Sequence, residues 1–148
     1  MTSVLITGGA GFIGSNFVRY VARVRPAWRI VIVDKLTYAG NLRNLEDILE
    51  DHRHLFLKQD ITDHEGMSEV FCQFRPDMVV NFAAESHVDR STAAKAGAFV
   101  DTNVYGTFVL LDAMRRLAPE ARFLQIGTDE VYGDVESPRM PAEDSLLR

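Results

Sequence analysis

The chain has 148 residues, 47% of them apolar and 25% charged, a balance that suits one soluble domain with a real core. Its 16 basic and 21 acidic side chains leave a net charge of −5, which argues against a general nucleic-acid binder. The single cysteine, Cys72, excludes an internal disulfide, and no apolar run approaches the ~20 residues of a membrane span.

No charged segment followed by a signal-type apolar stretch opens the sequence, so the cytoplasm is the default location and no membrane partner is expected. Val4-Leu5-Ile6 is a short apolar run that reads as a buried strand, ended by Thr7-Gly8-Gly9-Ala10-Gly11-Phe12-Ile13-Gly14. From Phe12 onward Ile13, Phe17, Val18, Val21 and Val24 follow helical spacing, and Pro26 marks the stop. Arg19, Arg23, Arg25 and Arg29 read as a solvated helix face. Ile30-Val31-Ile32-Val33 is β-branched throughout and reads as a second buried strand, ended by Asp34.

Leu42, Leu45, Ile48 and Leu49 form a helical stripe with Asn41 as its cap. Leu55-Phe56-Leu57 is a third strand that ends near Asp60. Thr62-Asp63-His64-Glu65 has the form of a capping box before a helix carrying Met67, Val70, Phe71 and Phe74, closed by Pro76. Cys72, within that apolar stretch, reads as a small buried hydrophobe. Met78-Val79-Val80-Asn81-Phe82 is a fourth strand. A long helix follows with Val100, Val104, Phe108, Leu111 and Met114 at steps of three and four, read as its core face. Phe123-Leu124-Gln125-Ile126 is a fifth strand, and after Gly133 the composition turns loop-like. Strands that are apolar on both faces and alternate with helices predict a parallel sheet covered on both sides, joined by right-handed crossovers.

A glycine-rich turn after the first strand that opens a helix is a phosphate cradle. Gly8 makes the tight turn, Gly11 lets a pyrophosphate meet backbone N–H groups, and Gly14 lets helix and strand pack closely. Asp34 stands 20 residues past Gly14 at the end of the second strand, where a carboxylate accepts both adenosine ribose hydroxyls. A 2′-phosphate would meet like charge there, at about 1 kcal/mol in water-like surroundings and about 4 at an effective dielectric of 20 for charges ~4 Å apart. NAD is therefore the expected cofactor rather than NADP, with Lys35 a partial offset. Asp60 ends the third strand, where it either reaches the adenine amine or serves only as a turn residue. No metal site is expected.

Three further stretches carry a resemblance: Asp34 to Leu42 (DKLTYAGNL), Ala83 to Ser91 (AAESHVDRS) and Thr128 to Gly133 (TDEVYG). With the GxxGxxG spacing they resemble the extended short-chain dehydrogenases/reductases that act on nucleotide sugars, and within them the dTDP-glucose 4,6-dehydratase family. The likeness runs along essentially the whole chain. It implies a Rossmann-like, doubly wound α/β sheet, with residues 1–133 the NAD-binding domain, cut short of its last strands and of a C-terminal sugar-nucleotide domain, and 134–148 a tail. The implied substrate is dTDP-glucose, and the family is usually homodimeric.

The resemblance assigns Asp129 as the acid that protonates the leaving C6 hydroxyl and Glu130 as the base that removes the C5 proton. Neighbouring strand residues point to opposite faces, so both serve one substrate only if the strand ends and the chain turns. Thr128 matches the hydroxyl that bonds the sugar O4, and Ser86 touches substrate or nicotinamide. Cofactor contacts extend to Phe12, Ile13, Lys35, Leu36, Thr37, Ile61, Phe82, Ala83, Ala84 and Thr102. Asn103 is expected to bond buried backbone groups, His87 to be structural, and Asp89 with Arg90 to be an ion pair. An epimerase or decarboxylase of the same superfamily is the alternative, disfavoured by the adjacent acids. The family's YxxxK pair has no counterpart: none of Tyr20, Tyr38, Tyr105 and Tyr132 is followed by lysine at plus four. The chain alone is therefore expected to give no dehydratase turnover, and a catalytically silent NAD-binding module stands as a third reading.

Overall fold

The computed structural model describes residues 1–86, 96–134 and 140–146. Five strands form one parallel sheet: β1 (Ser3–Thr7), β2 (Arg29–Asp34), β3 (His54–Lys58), β4 (Met78–Asn81) and β5 (Arg122–Gln125). Their order across the sheet is β3-β2-β1-β4-β5. The register pairs Leu5 with Val31 and Val79, and Val31 with Leu55. The alternation of side chains along each strand divides the core in two. Leu5, Val31, Val33 and Val79 pack on one face with Met67, Val70, Phe71, Val109 and Leu110. Val4, Ile6, Ile30, Ile32 and Val80 pack on the other with Val18, Val21 and Leu45. This is the doubly wound, Rossmann-like arrangement that the sequence predicts.

Helix α1 (Phe12–Val24) covers one face, and α3 (His64–Phe74) with α5 (Thr107–Leu117) covers the other. Between β2 and β3 a 3₁₀ turn (Leu42–Leu45) leads into a one-turn helix, α2 (Glu46–Leu49). Asn41 caps the turn as expected, accepting from the Arg43 N–H at 3.1 Å. The capping-box expectation is corrected by one residue. Asp63, not Thr62, caps α3, accepting from the Gly66 N–H at 3.1 Å, because the Thr62 N–H is drawn back to Asp60 at 3.0 Å. Cys72 is exposed rather than buried: its helical neighbours Val70, Phe71 and Phe74 face the sheet and leave position 72 outside.

The solvated reading of the arginine cluster holds for exposed Arg23 and Arg25 and is corrected for half-buried Arg19 and for Arg29, which opens β2. Arg19 grips Asp47 with two hydrogen bonds of 2.9 and 3.0 Å and donates to the Asn44 carbonyl at 2.6 Å, which ties α1 to α2. Arg23, Arg25 and Arg29 lie 5.9, 5.5 and 4.9 Å over the rings of Tyr20, Trp28 and Phe74.

The largest correction concerns the long helix, which runs as α4 (Ala96–Phe99), a π-helical stretch (Val100–Gly106) and then α5. Val100, Val104, Phe108 and Leu111 face outward at 59%, 64%, 56% and 41% exposure. The buried face is Thr102, Gly106, Val109, Leu110 and Ala113, with Met114 half-buried beside it. Both faces of this helix are apolar, so periodicity alone does not choose between them. Small residues decide it: a Cβ at Gly106 would lie 2.5 Å from Ile61 Cδ1, so only this face can approach so closely.

His54 is buried at the start of β3, and its Nδ1 has no hydrogen-bond partner among the described residues. Burial pushes its imidazole below the usual histidine range, against a smaller upward pull from Asp51 3.9 Å away. The unfolded chain therefore binds this proton more readily than the folded one. Stability is complete above about pH 6.5 and falls as pH drops through the histidine range. Denaturant midpoints at pH 8 and 5.5 should show this loss in the parent chain and less of it in His54→Leu; equal losses in both would exclude His54 as its source.

Candidate functional site: a dinucleotide cleft

A cleft of about 390 Å³ opens above the C-terminal ends of the strands. It lies where the strand order reverses between β1 and β4, the usual crevice of such sheets. The expected cofactor contacts, except Leu36, all line it, as does Thr128. Asp129 and Glu130 do not.

The glycines divide the work in a way that a Cβ placed on each makes visible. Gly8 has φ +67° and sits against the chain just past β4: a Cβ there would lie 2.5 Å from the Ala83 nitrogen and 2.6 Å from the Phe82 carbonyl carbon. Gly14 presses on the loop, its Cβ 2.3 Å from the Gly8 oxygen. Gly11 is different. Its φ of −72° suits any residue, and its Cβ would meet nothing nearer than the Gly8 oxygen at 3.4 Å. Packing demands glycine at positions 8 and 14 but leaves open space at 11, and that space belongs to the cleft. Gly11 is also the cap of α1 and gives it no side-chain hydrogen bond, and the first turn holds no acid. The amide donors of this helix end, with their partial positive charge, thus line the cleft with no acid in the helix's own first turn. These residues fit a diphosphate.

Asp34 is locked at the end of β2. Oδ2 accepts from the Ala10 N–H at 3.0 Å and Oδ1 from the Leu36 N–H at 2.8 Å. The first bond joins the carboxylate to the glycine loop. The second needs Leu36 in the left-handed region at φ 58°, a conformation costing about 1–3 kcal/mol for a side chain of this kind. Leu36 therefore shapes the acid from outside the cleft lining. Gly40 completes the clamp: a Cβ there would come 2.7 Å from Asp34 Oδ1. Sequence reasoning missed Gly40 and Gln59 as cleft residues. The signal for Gly40 was a glycine six residues past a strand-end acid; Gln59 carried none. Each carboxylate oxygen keeps a lone pair for a ribose hydroxyl.

Asp60 proves to be both turn residue and cleft residue. It accepts from the Thr62 N–H and pairs with Lys35 Nζ at 3.3 Å. Partial burial pushes its carboxyl up, but the Thr62 bonds and Lys35 outweigh this and hold it below the usual range. Lys35 also donates to the buried Thr102 hydroxyl at 3.4 Å.

Under the cleft, buried Asn81 ties four elements together. Its Oδ1 accepts from the Thr7 hydroxyl and from the Ala83 N–H at 3.1 Å. Its Nδ2 donates to Gln125 Oε1 at 2.9 Å and to the Thr107 hydroxyl at 3.5 Å. Asn103 bonds backbone groups as expected, though at half-buried Glu85 rather than at buried ones. Its amide accepts from the Glu85 N–H at 2.8 Å and donates to the Glu85 carbonyl at 2.9 Å, holding the backbone after β4 in place.

At the far rim β5 ends at Gln125, and Asp129–Tyr132 forms a 3₁₀ turn capped by the Thr128 hydroxyl, which accepts from the Glu130 N–H at 3.2 Å. The chain therefore turns at the acid pair, as sharing one substrate requires. The Thr128 hydroxyl also donates to the Glu130 carboxylate. His87, Asp89 and Arg90 lie outside the described residues. Among the described residues no group of three histidine, cysteine, aspartate or glutamate side chains could hold a metal ion. Nor is any helix among them long and apolar enough to cross a membrane.

Comparison with known proteins bears on this site. The chain is 49% identical to the dTDP-glucose 4,6-dehydratase of Neisseria meningitidis over 144 residues, 91% of this chain and 40% of that protein. The dTDP-glucose 4,6-dehydratase of Streptomyces venezuelae, solved with NAD bound, superposes with a TM-score of 0.89 at 43% identity, over 99% of this chain and 45% of that one. The Bacillus anthracis enzyme of the same name, solved in complex with NAD, gives 0.88 at 36% identity, over 100% and 44%. The chain thus spans less than half the length of these relatives. The family model described as GDP-mannose 4,6 dehydratase matches residues 5–147, and the chain belongs to that family.

Proposed function

We propose that this chain is the NAD-binding part of a dTDP-glucose 4,6-dehydratase, a lyase that forms dTDP-4-dehydro-6-deoxyglucose. Residues 1–133 are the dinucleotide-binding domain, and 134–148 lead on toward the sugar-binding part. One observation carries the reading: within the glycine loop, Gly11 is the glycine that packing does not require, and the room it leaves lies between a bare helix N-terminus and Asp34.

Bound in the cleft, NAD would accept a hydride from C4 of the sugar and give it back at C6. The chain's own residues do the rest. The helix end and glycine loop bind the diphosphate, and Asp34 orients the adenosine ribose. Ser86 and Thr128 line the opposite end, where the Thr128 hydroxyl bonds the sugar O4. Glu130 takes the C5 proton while Asp129 protonates the C6 oxygen; the C6–O bond breaks and water leaves. Without a YxxxK pair to take the C4 hydroxyl proton, the 148-residue chain binds NAD but does not turn over. The outward stripe of Val100, Val104, Phe108 and Leu111 supplies the apolar face that a homodimer, the family's usual assembly, would use. A cytoplasmic location and no nucleic-acid partner complete the reading.

Titration of NAD⁺ into the chain should give saturable binding, weakened about 10- to 100-fold in Asp34→Ala by loss of charge-assisted hydrogen bonds. Incubation with dTDP-glucose should give no 4-keto product. Unchanged affinity in Asp34→Ala would remove that residue from the site, and product formation would remove the requirement for YxxxK.

A further inference from the structure

Lys35 follows Asp34 directly and lines the same cleft, and its charge is engaged by the protein itself. A lysine beside the 2′-position of an adenosine ribose is the natural partner of a 2′-phosphate, and a flexible four-carbon stem would let it swing there. Here Nζ is held on two sides, by Asp60 Oδ2 at 3.3 Å and by the Thr102 hydroxyl at 3.4 Å. Neither partner is free to drift. Asp60 is fixed by the Thr62 N–H at the end of β3, and Thr102 is 4% exposed within the π-helical stretch.

We propose that Asp60 and Thr102 are positioning residues for cofactor choice: they hold the Lys35 ammonium away from the adenosine 2′-position, so that NAD is preferred over NADP. This rests on the cofactor reading above and adds to it. Asp34 repels a 2′-phosphate, but repulsion alone is a weak filter when a mobile cation stands next to it. With Lys35 tethered, the phosphate meets the carboxylate of Asp34 uncompensated. The preference then depends on residues 26 and 68 positions further along the chain than Asp34.

The test is the ratio of NADP⁺ to NAD⁺ affinity on the full 148-residue chain, because the two cofactors differ only at the 2′-position. Any contact of Asp60 with adenine cancels in that ratio. Asp60→Asn keeps an oxygen for the Thr62 N–H and removes the charge that holds Lys35; Thr102→Val keeps the shape and removes the hydroxyl. Asp60→Asn should shift the ratio toward NADP⁺ by about five- to tenfold, as expected for one charge-assisted contact near the surface. Thr102→Val should shift it the same way by about twofold. Lys35→Met placed in the Asp60→Asn background should cancel the shift, since no cation is left to swing.

A shift that persists without Lys35 would overturn the proposal, because Asp60 would then act by its own charge. So would unchanged ratios in both single variants. Those outcomes leave NAD⁺ binding by the parent chain intact; absence of that binding would instead sink the cofactor reading and this inference together.

Discussion

Gly8→Ala is expected to cost about 3–6 kcal/mol of folding stability. Two penalties coincide at this residue. A side chain at φ +67° sits in the left-handed region, at about 1–3 kcal/mol. The new Cβ also stands 2.5–2.8 Å from backbone atoms of Phe82 and Ala83, which no rotamer change relieves. Either β4 moves away from β1 or the loop unwinds, and the Gly8 N–H loses its 2.8 Å bond to the Val33 carbonyl. A domain of this size holds only about 5–15 kcal/mol in total, so the variant should unfold far earlier in denaturant or fail to fold. Gly14→Ala should cost about 1–3 kcal/mol, with the steric penalty but not the dihedral one. A Gly8→Ala midpoint within experimental error of the parent would refute the close approach of the loop to β4.

Asn81→Leu should cost about 2–5 kcal/mol, because it leaves buried polar groups without partners. The Thr7 hydroxyl is fully buried and the Ala83 N–H lies beneath the loop; both lose their acceptor. Gln125 is exposed and regains water, so it adds little. The asymmetry between breaking a polar pair and deleting it gives a sharper check. Thr7→Val combined with Asn81→Leu should cost clearly less than the two single changes added together, since a pair replaced whole leaves fewer orphans. Additive losses in the cycle would mean that the two side chains act independently.

The strands were legible because a parallel sheet buried on both faces needs unbroken runs such as Ile30–Val33, and little else in a soluble chain has that composition. The glycine loop was legible for a related reason: three glycines at spacing three, between a strand and a helix, have no cheaper explanation than close approach. The tight turn expected at Gly8 is there at φ +67°, whereas Gly14, expected to close helix against strand, presses on the glycine loop itself.

What the sequence hid was partner choice. The long helix carries apolar residues on both faces, and hydrophobic spacing does not show that Gly106 and Ala113 let one face approach while bulky Phe108 and Val104 mark the other. Thr62 and Asp63 are both good caps, and only the prior engagement of the Thr62 N–H by Asp60 selects Asp63. Lys35 reads as a free cation until the fold brings Asp60 and Thr102 beside it from distant positions. Asp129 and Glu130 follow a strand in the sequence, and the turn that brings both to one rim was required by the chemistry before it was visible in the fold.

The proposed cofactor site requires position 11 to be kept bare for a diphosphate and not for packing. Calorimetric titration of NAD⁺ into the parent chain and into Gly11→Ala, each checked for equal unfolding midpoints, tests it most directly. Stabilities should lie within about 1 kcal/mol of each other and the variant's affinity should be about 10- to 100-fold weaker, the equivalent of one methyl forced into an occupied contact. Equal NAD⁺ affinity in the two proteins, or a large loss of stability in Gly11→Ala, would contradict it.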